Sequence, residues 1–252
     1  MRHGTKLKML ELILIGIAAA CVAGFALMGP VSPPPVSDKV ANYTPPAPTQ
    51  EPPAPKVVVF GDSFGQGAGA SDRTMGWIGR LQRNQGWNLT NLSRGGTGYK
   101  SNVMKLAAAQ ESCRLDRCLN YVETIPEART VGPDVVLVTG GRNDAKVGPE
   151  TETAAIERFF ETLRKTFPRA KIIATNPLWD SRPRPDSIDR MAATIREAAQ
   201  AAGGTYVDIG QPLASHPELI GPDGIHPTDA GHDVIFVAML EKMKSAGIAA
   251  AR

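Results

Sequence analysis

The chain has 252 residues, 42% of them hydrophobic, and three cysteines. This length suits one folded domain of about 200 residues with additional segments. The formal charge of +3 falls to +1 when residues 1–28 are set aside, because 25 basic and 24 acidic residues remain. This balance offers no basic patch for nucleic acid, and three cysteines are too few for a disulfide-rich scaffold.

The first 29 residues combine a basic head with an apolar run. Arg2, Lys6 and Lys8 precede the uncharged stretch 12–28. As a helix these 17 residues span roughly 25 Å, which is at the short end of a membrane-crossing length. We expect a retained anchor whose basic end lies in the cytoplasm. The alternative is a cleaved signal peptide, for which small residues at 18–20 provide a site.

Residues 30–55 contain ten of the 21 prolines and almost no large apolar side chains. Such a segment buries too little surface to fold and is expected to act as an extended spacer. The chain therefore divides into segment 1–29, linker 30–55 and a domain over 56–252. Both interpretations of the N-terminus place that domain outside the cytoplasm, either on the cell membrane or secreted.

Strands and helices are expected to alternate from residue 56 onward. Short apolar runs predict strands at 57–60, 89–92, 134–138, 171–175 and 205–209. Helical spacing or composition predicts helices at 76–84, 151–167, 186–202 and 229–246, the last capped by Thr228, and a mostly helical stretch at 99–129. The alternation predicts an α/β fold in which helices cover both faces of a five-stranded parallel sheet.

The first strand runs directly into Gly61-Asp62-Ser63. Its four apolar residues indicate a strand buried on both faces. Open α/β sheets place their chemistry at the carboxyl ends of the strands, which is where the Ser63 hydroxyl would lie. A hydroxyl becomes a nucleophile only when a base can reach it.

His226 is the best candidate for that base. It lies in a turn-rich loop just before the last helix, with Asp223 three residues upstream. One tight turn at this spacing brings the carboxylate to one ring nitrogen and leaves the other for the nucleophile. Taken alone, the same residues would also fit an ordinary solvated turn.

Two further loops follow predicted strands and offer hydrogen-bond donors. Asn91-Leu92-Ser93-Arg94-Gly95-Gly96-Thr97-Gly98 is rich in glycine, which lets a backbone N–H approach a ligand closely. Gly140-Gly141-Arg142-Asn143-Asp144 places a side-chain amide at the same edge of the sheet. The Ser63 N–H, the Gly96 N–H and the Asn143 amide are therefore candidates for an oxyanion hole.

Together these blocks resemble the SGNH (GDSL-type) hydrolases over about residues 56–246. The resemblance rests on Gly61-Asp62-Ser63, Gly96, Gly141-x-Asn143-Asp144 and Asp223-x-x-His226. It implies the flavodoxin-like three-layer fold and an esterase, lipase or deacetylase activity. By matching positions, Ser63 would be the nucleophile, His226 the base and Asp223 its orienting partner. Gly96 and Asn143 would complete the oxyanion hole, although Gly95 and Gly98 compete with Gly96.

Several alternatives remain open. The same site could transfer the acyl group to a sugar hydroxyl, or the domain could bind an envelope component without turnover. The glycine pattern at 65–70 formally fits a dinucleotide loop, but no acidic residue follows at the expected distance. Cys113 and Cys118 could form a disulfide or remain free thiols, and residues 179–185 could form an arginine-bearing rim or a solvated loop.

The partners expected are an ester substrate and, through the N-terminal segment, a membrane. The substrate could be a small molecule, a glycan or a lipid, and a cell-envelope glycan or glycolipid is favoured by the predicted export. The implied chemistry needs no metal or cofactor, and no cysteine and histidine cluster has zinc spacing.

Overall fold

The structure is a computed structural model that describes residues 53–248. The predicted anchor and almost all of the linker lie outside these residues. The strands are β1 (Lys56–Phe60), β2 (Asn88–Asn91), β3 (Val135–Val138), β4 (Lys171–Thr175) and β5 (Thr205–Val207). The helices are α1 (Ser63–Gln66), α2 (Trp77–Gln85), α3 (Leu106–Ser112), α4 (Tyr121–Val131), α5 (Pro149–Thr166), α6 (Asp186–Ala201) and α7 (Asp229–Ser245).

All five strands form one parallel sheet in the order β2-β1-β3-β4-β5. The register pairs Val58 with Val136 and Val136 with Ile172, so the central strands present apolar side chains at matching levels. In this order β1 and β3 are neighbours. The chain goes from β1 to β2 at one edge, returns to β3 on the other side of β1, and then continues through β4 to β5 at the opposite edge. Ligands of open α/β folds bind at such a switch point, outside the carboxyl ends of the strands.

Two apolar cores cover the two faces of the sheet, because successive strand residues point to opposite sides. Val58, Phe60 and Val136 pack with α4, α5 and α6 on one face. Val57, Val59 and Leu137 pack with α2 and α7 on the other. The three-layer α/β/α architecture and its five-stranded parallel sheet are thus confirmed.

Local sequence signals set the ends of several helices. The side chain of Thr228 accepts a hydrogen bond from Gly231 N at 3.3 Å, so the predicted cap of α7 is confirmed. In α4, Asn120 and Glu123 form a reciprocal capping box. The α7 cap matters for the site, because it fixes where the loop containing His226 joins its helix.

The stretch 99–129 is less helical than predicted. Only α3 and part of α4 fall within it, and Val103 instead pairs with Cys118 through two backbone hydrogen bonds of 3.0 and 2.9 Å. Cys113 and Cys118 form a disulfide. These links hold the segment as a closed loop. The hydrogen bonds between Val103 and Cys118 pair backbone N–H and C=O groups that a continuous helix would pair within itself. We call residues 103–118 the disulfide segment.

Within residues 53–248, none of the helices has both the length and the apolar character needed to cross a bilayer. The membrane prediction concerns residues 1–29, which lie outside the described part of the chain.

Candidate active site

Ser63 is the first residue of α1, at the carboxyl end of β1. The Asp62 side chain caps this one-turn helix by accepting a hydrogen bond from Phe64 N at 3.0 Å. The turn ends at Gly67, whose φ of 87° is a left-handed conformation that favours glycine. Because Ser63 begins the helix, its own N–H has no acceptor within α1.

The Asp62 carboxylate also joins the turn at Ser63 to the loop after β3. Its Oδ2 accepts from Gly141 N at 3.1 Å, and the residue is only 1% exposed. Burial raises the pKa of Asp62, while Arg142 and the backbone N–H donors oppose that rise. A Cβ on Gly140 would lie 2.6 Å from this carboxylate, so glycine is needed for the close approach.

Asn143 lies in a short 3₁₀ turn after β3, spanning Arg142–Asp144. Its Nδ2 donates to Thr97 O at 2.9 Å, and its backbone O accepts from Ser101 Oγ at 3.0 Å. Both contacts reach the loop after β2. One hydrogen of the Asn143 amide is therefore committed to Thr97, and the amide carries a second one.

Asp144 holds the other side of this junction. It is fully buried and accepts hydrogen bonds from Tyr99 N and Ser101 N, each at 2.7 Å, and from Lys100 N at 3.3 Å. A carboxylate with several backbone donors is well compensated for its burial. The loop after β2 is consequently tied to the loop after β3 on two residues, Asn143 and Asp144.

Two of the three glycines that compete for the proposed oxyanion role, Gly96 and Gly98, have different environments. Gly98 N already donates to Ser101 O at 3.0 Å. Gly96 has a φ of 74°, and within residues 53–248 its N–H makes no hydrogen bond. A Cβ on Gly96 would lie 2.7 Å from Val103 Cγ2 in the disulfide segment. These contacts favour Gly96 over Gly98 as the backbone donor.

His226 and Asp223 are held together by one tight turn. Asp223 Oδ1 accepts from Ile225 N and His226 N, both at 2.9 Å, and Oδ2 lies 2.6 Å from His226 Nδ1. Desolvation raises the pKa of Asp223, but the His226 and Ile225 backbone donors and the imidazole together lower it to about 2. The carboxylate is thus ionised at neutral pH and orients the ring, which leaves Nε2 free of Asp223.

The loop that contains His226 packs against the turn at Ser63. The Phe64 and His226 ring centroids are 6.0 Å apart in an edge-on arrangement, and Phe64 follows Ser63 in the chain. A Cβ on Gly69 would lie 2.8 Å from His226 Cβ. In the described part of the chain no hydrogen bond joins Ser63 Oγ to His226 Nε2, and catalytic pairs are often looser before substrate binds.

The remaining described histidines lie elsewhere in the fold. His232 is fully buried on α7, where Nε2 lies 3.0 Å from Ala68 O and Nδ1 lies 3.4 Å from Trp77 N. These contacts pack α7 against the loop that contains Ala68. His216 is an exposed loop residue whose Nδ1 lies 2.8 Å from Glu218 Oε1.

Asp62, Asp144 and Arg142 are parts of the site for which sequence reasoning gave no role. Asp62 and Asp144 lie inside the quoted motifs, so their acidic side chains were the available signal. Arg142 lies in the same quoted block as Asp144, but no motif position of the resemblance assigns a role to its side chain. Together the three residues connect the loops that follow β1, β2 and β3.

The family model described as the GDSL-like lipase/acylhydrolase family matches residues 59–234. This span contains every site residue described above. The chain belongs to the GDSL-like lipase/acylhydrolase family. A curated relative, the GDSL lipase Rv0518 of Mycobacterium tuberculosis, is 36% identical over an alignment of 132 residues that covers 48% of this chain and 56% of the relative. The chain thus matches little more than half the length of this relative.

Solved structures share the GDSL-like fold at low sequence identity. The salicylyl-acyltransferase SsfX3 from a tetracycline biosynthetic pathway has a TM-score of 0.57 at 20% identity, covering 80% of this chain and 57% of its own. The esterase EstA from Pseudoalteromonas sp. has a TM-score of 0.57 at 15% identity, covering 77% and 99%. A family two carbohydrate esterase from Clostridium thermocellum has a TM-score of 0.57 at 14% identity, covering 77% and 65%.

Proposed function

We propose that the domain is a serine ester hydrolase in which Ser63, His226 and Asp223 act as nucleophile, base and orienting carboxylate. The observation that carries this proposal is the 2.6 Å contact between Asp223 Oδ2 and His226 Nδ1, on a ring that packs edge-on to the neighbour of Ser63. Family membership supports the same assignment.

In the first step, His226 Nε2 removes the proton from Ser63 Oγ as that oxygen attacks the ester carbonyl. A tetrahedral intermediate forms, and its negative oxygen would accept hydrogen bonds from Ser63 N, Gly96 N and Asn143 Nδ2. The imidazolium then gives its proton to the leaving alcohol as the ester C–O bond breaks. Asp223 stabilises the imidazolium and keeps its Nδ1 proton directed at the carboxylate.

In the second step, water replaces the alcohol and attacks the acyl-enzyme. His226 accepts a proton from this water, and the same three donors stabilise the second tetrahedral intermediate. Collapse releases the carboxylic acid and returns the proton to Ser63 Oγ. None of these steps requires a group beyond the residues named and water.

For the substrate, we propose an ester of the cell envelope, on a glycan or a glycolipid. The predicted export of the domain supports this choice, and a structural relative is a carbohydrate esterase. We also retain the proposal that residues 1–29 anchor the protein in the membrane. Fractionating cells that make the full chain would test this, because a released, shortened protein would contradict the anchor.

The proposed activity is tested with a soluble chain that begins at residue 56, using p-nitrophenyl acetate, butyrate and octanoate. Ser63→Ala is the matched variant, because it removes one hydroxyl at a buried position of the same backbone turn. We expect turnover by the parent chain and its loss in the variant, with unchanged circular dichroism. The preferred chain length would narrow the acyl group.

Intact mass measured during the same reaction separates hydrolysis from transfer. A hydrolase releases the acyl group, so only a transient adduct is expected. An adduct that persists until a sugar alcohol is added would contradict the hydrolase and indicate an acyltransferase. Neither turnover nor adduct with any of these esters, or with an acetylated oligosaccharide, would contradict the proposed function.

A further inference from the structure

Arg142 lies over two aromatic rings beside the proposed active site. Its guanidinium carbon lies 4.5 Å from the centre of the Phe64 ring and 4.5 Å from a ring of Trp179. The residue is only 7% exposed. A cation that lies over two aromatic rings is attracted to both, and this attraction is stronger in a desolvated site. We call Phe64, Arg142 and Trp179 the arginine stack.

Asp180 secures the arginine stack from one edge. Its Oδ2 accepts from Arg142 Nη2 at 2.8 Å, and the Asp180 side chain is fully buried. The same carboxylate accepts from Arg182 Nε at 2.8 Å and Arg182 Nη2 at 2.6 Å. Desolvation alone would raise the pKa of Asp180, but the hydrogen bonds from Arg182 and Arg142 lower it to about 2.

Arg142 forms no other side-chain hydrogen bond among residues 53–248. Its Nη1 is enclosed and lacks an acceptor there, so one ion pair and two ring faces hold the guanidinium. The position of Arg142 is therefore set by Asp180 and by the two aromatic rings.

The arginine stack reaches three parts of the proposed catalytic machinery. Phe64 follows Ser63 in the chain, and its ring contacts His226. Asn143 follows Arg142 within the same 3₁₀ turn. Movement of the guanidinium would consequently be transmitted to the nucleophile turn, to the base and to the amide donor at once.

We propose that Arg142 is a positioning residue for ester hydrolysis, acting through the Phe64 ring and the Asn143 turn. This inference rests on the proposed function. The planar group supports Phe64 against His226, while its ion pair to Asp180 fixes the turn that presents Asn143. The geometry required in the transition state is set before substrate arrives, so the effect belongs in kcat more than in KM.

Arg142→Lys tests this role, because lysine keeps the charge and can reach Asp180 but has no flat face to stack on two rings. A displacement of about 1 Å can cost up to about 100-fold in rate, so we expect kcat per active site to fall about 10- to 100-fold. KM should change by less than about 3-fold, since the substrate contacts remain. Active sites are counted with a fluorophosphonate, which removes any effect of misfolded protein.

Arg182→Lys is the matched control. It makes the same chemical change at the other partner of Asp180, on a side chain that is 56% exposed and outside the arginine stack. We expect kcat to stay within about 2-fold of the parent, because lysine keeps the positive charge beside Asp180 and leaves the arginine stack unchanged. Equal kcat values for the two variants would overturn the proposal.

A double-mutant cycle with Phe64→Leu separates positioning from general loss of stability. If Arg142 acts through the Phe64 ring, the losses of kcat in the two single variants will not add in the double variant. Additive losses, or a loss confined to the fraction of folded sites, would contradict the role. A parent chain without Ser63-dependent turnover would instead overturn the proposed function, and this inference with it.

Discussion

Asn143 shows how a single side chain can be both fixed and available. Thr97 O accepts one amide hydrogen at 2.9 Å, and Ser101 Oγ binds the Asn143 backbone O at 3.0 Å. The second amide hydrogen is directed by these contacts without being used by Thr97. A donor that is already oriented does not have to reorganise as charge develops on the substrate.

Replacement of Asn143 by alanine should therefore lower kcat by about 10²–10³, the usual effect of losing one oxyanion donor. The measurement is kcat for a p-nitrophenyl ester on protein whose folding is verified by circular dichroism. Asn102→Ala is the control, because Asn102 is an exposed asparagine on the loop after β2. A decrease of only a few-fold would remove Asn143 from the proposed oxyanion hole.

Asp223 provides the second prediction at this scale. Asparagine keeps the shape of the side chain but offers an N–H that favours the wrong imidazole tautomer of His226, so kcat should fall by up to about 10⁴. Glu218→Gln serves as the control, since Glu218 lies 2.8 Å from His216 in a similar exposed pair. Comparable losses in both variants would show that the Asp223 carboxylate has no specific role.

The disulfide segment is an element whose position affects the site. Val103 fills the space where Gly96 would carry a Cβ, and Ser112 O accepts from Gln66 Nε2 of α1 at 2.9 Å. The disulfide segment therefore contacts both the loop that contains Gly96 and helix α1, which begins at Ser63. Its closure at Cys113 and Cys118 should stabilise this arrangement.

Reduction of this disulfide should lower stability by about 2 kcal/mol, estimated from closure of a short loop, and the melting temperature by about 4–8 °C. Differential scanning calorimetry with and without dithiothreitol measures the change. A chain in which Cys113 and Cys118 are both replaced by serine should have the melting temperature of the reduced parent chain, and dithiothreitol should not change it. Identical melting of the oxidised and reduced parent chains would contradict this prediction.

His232 connects α7 to the loop after α1 through the contact between its Nε2 and Ala68 O, and we expect this contact to be sensitive to acid. Desolvation lowers the pKa of His232 below its usual 6.5, with Arg80 and His226 acting in the same direction and Asp229 and the Ala68 carbonyl opposing it. The unfolded chain thus binds a proton more readily, so this contribution to stability is present above about pH 6.5 and declines as pH falls.

We expect the melting temperature to decrease between about pH 8 and about pH 5, and to decrease less in His232→Gln. Glutamine can still donate to Ala68 O but does not titrate in this range. The comparison of the two melting curves isolates the histidine from the other titrating groups. Parallel pH profiles for both proteins would contradict the prediction.

At this scale, sequence reasoning recovers regular elements better than connections. The runs at 57–60 and 135–138 are apolar because both faces of a central strand are covered, and that signal is local. The structure of the stretch 99–129 does not follow from local helix preference. The pairing of Val103 with Cys118 and the disulfide override that preference. The arginine stack cannot be predicted from local sequence for the same reason, since Phe64, Arg142 and Trp179 come from three separate parts of the chain.

The whole molecule brings four loops to one edge of a sheet. The order β2-β1-β3-β4-β5 places the ends of β1 and β3 side by side, and Asp62 joins them through Gly141. Sequence motifs predict which residues meet there, because parallel strands place their carboxyl ends together. The motifs do not predict the hydrogen bonds that fix the distances between these loops. The Asp144 carboxylate, for example, accepts hydrogen bonds from backbone N–H groups of the loop after β2.

The central claim is that Ser63 is a nucleophile activated by His226. The most direct measurement is the site and rate of labelling by a fluorophosphonate, located by peptide mass spectrometry on the soluble chain. We predict one adduct on Ser63 in the parent chain, a much slower reaction in His226→Ala, and none in Ser63→Ala. Labelling at another residue, or labelling of Ser63 at the same rate without His226, would contradict the account.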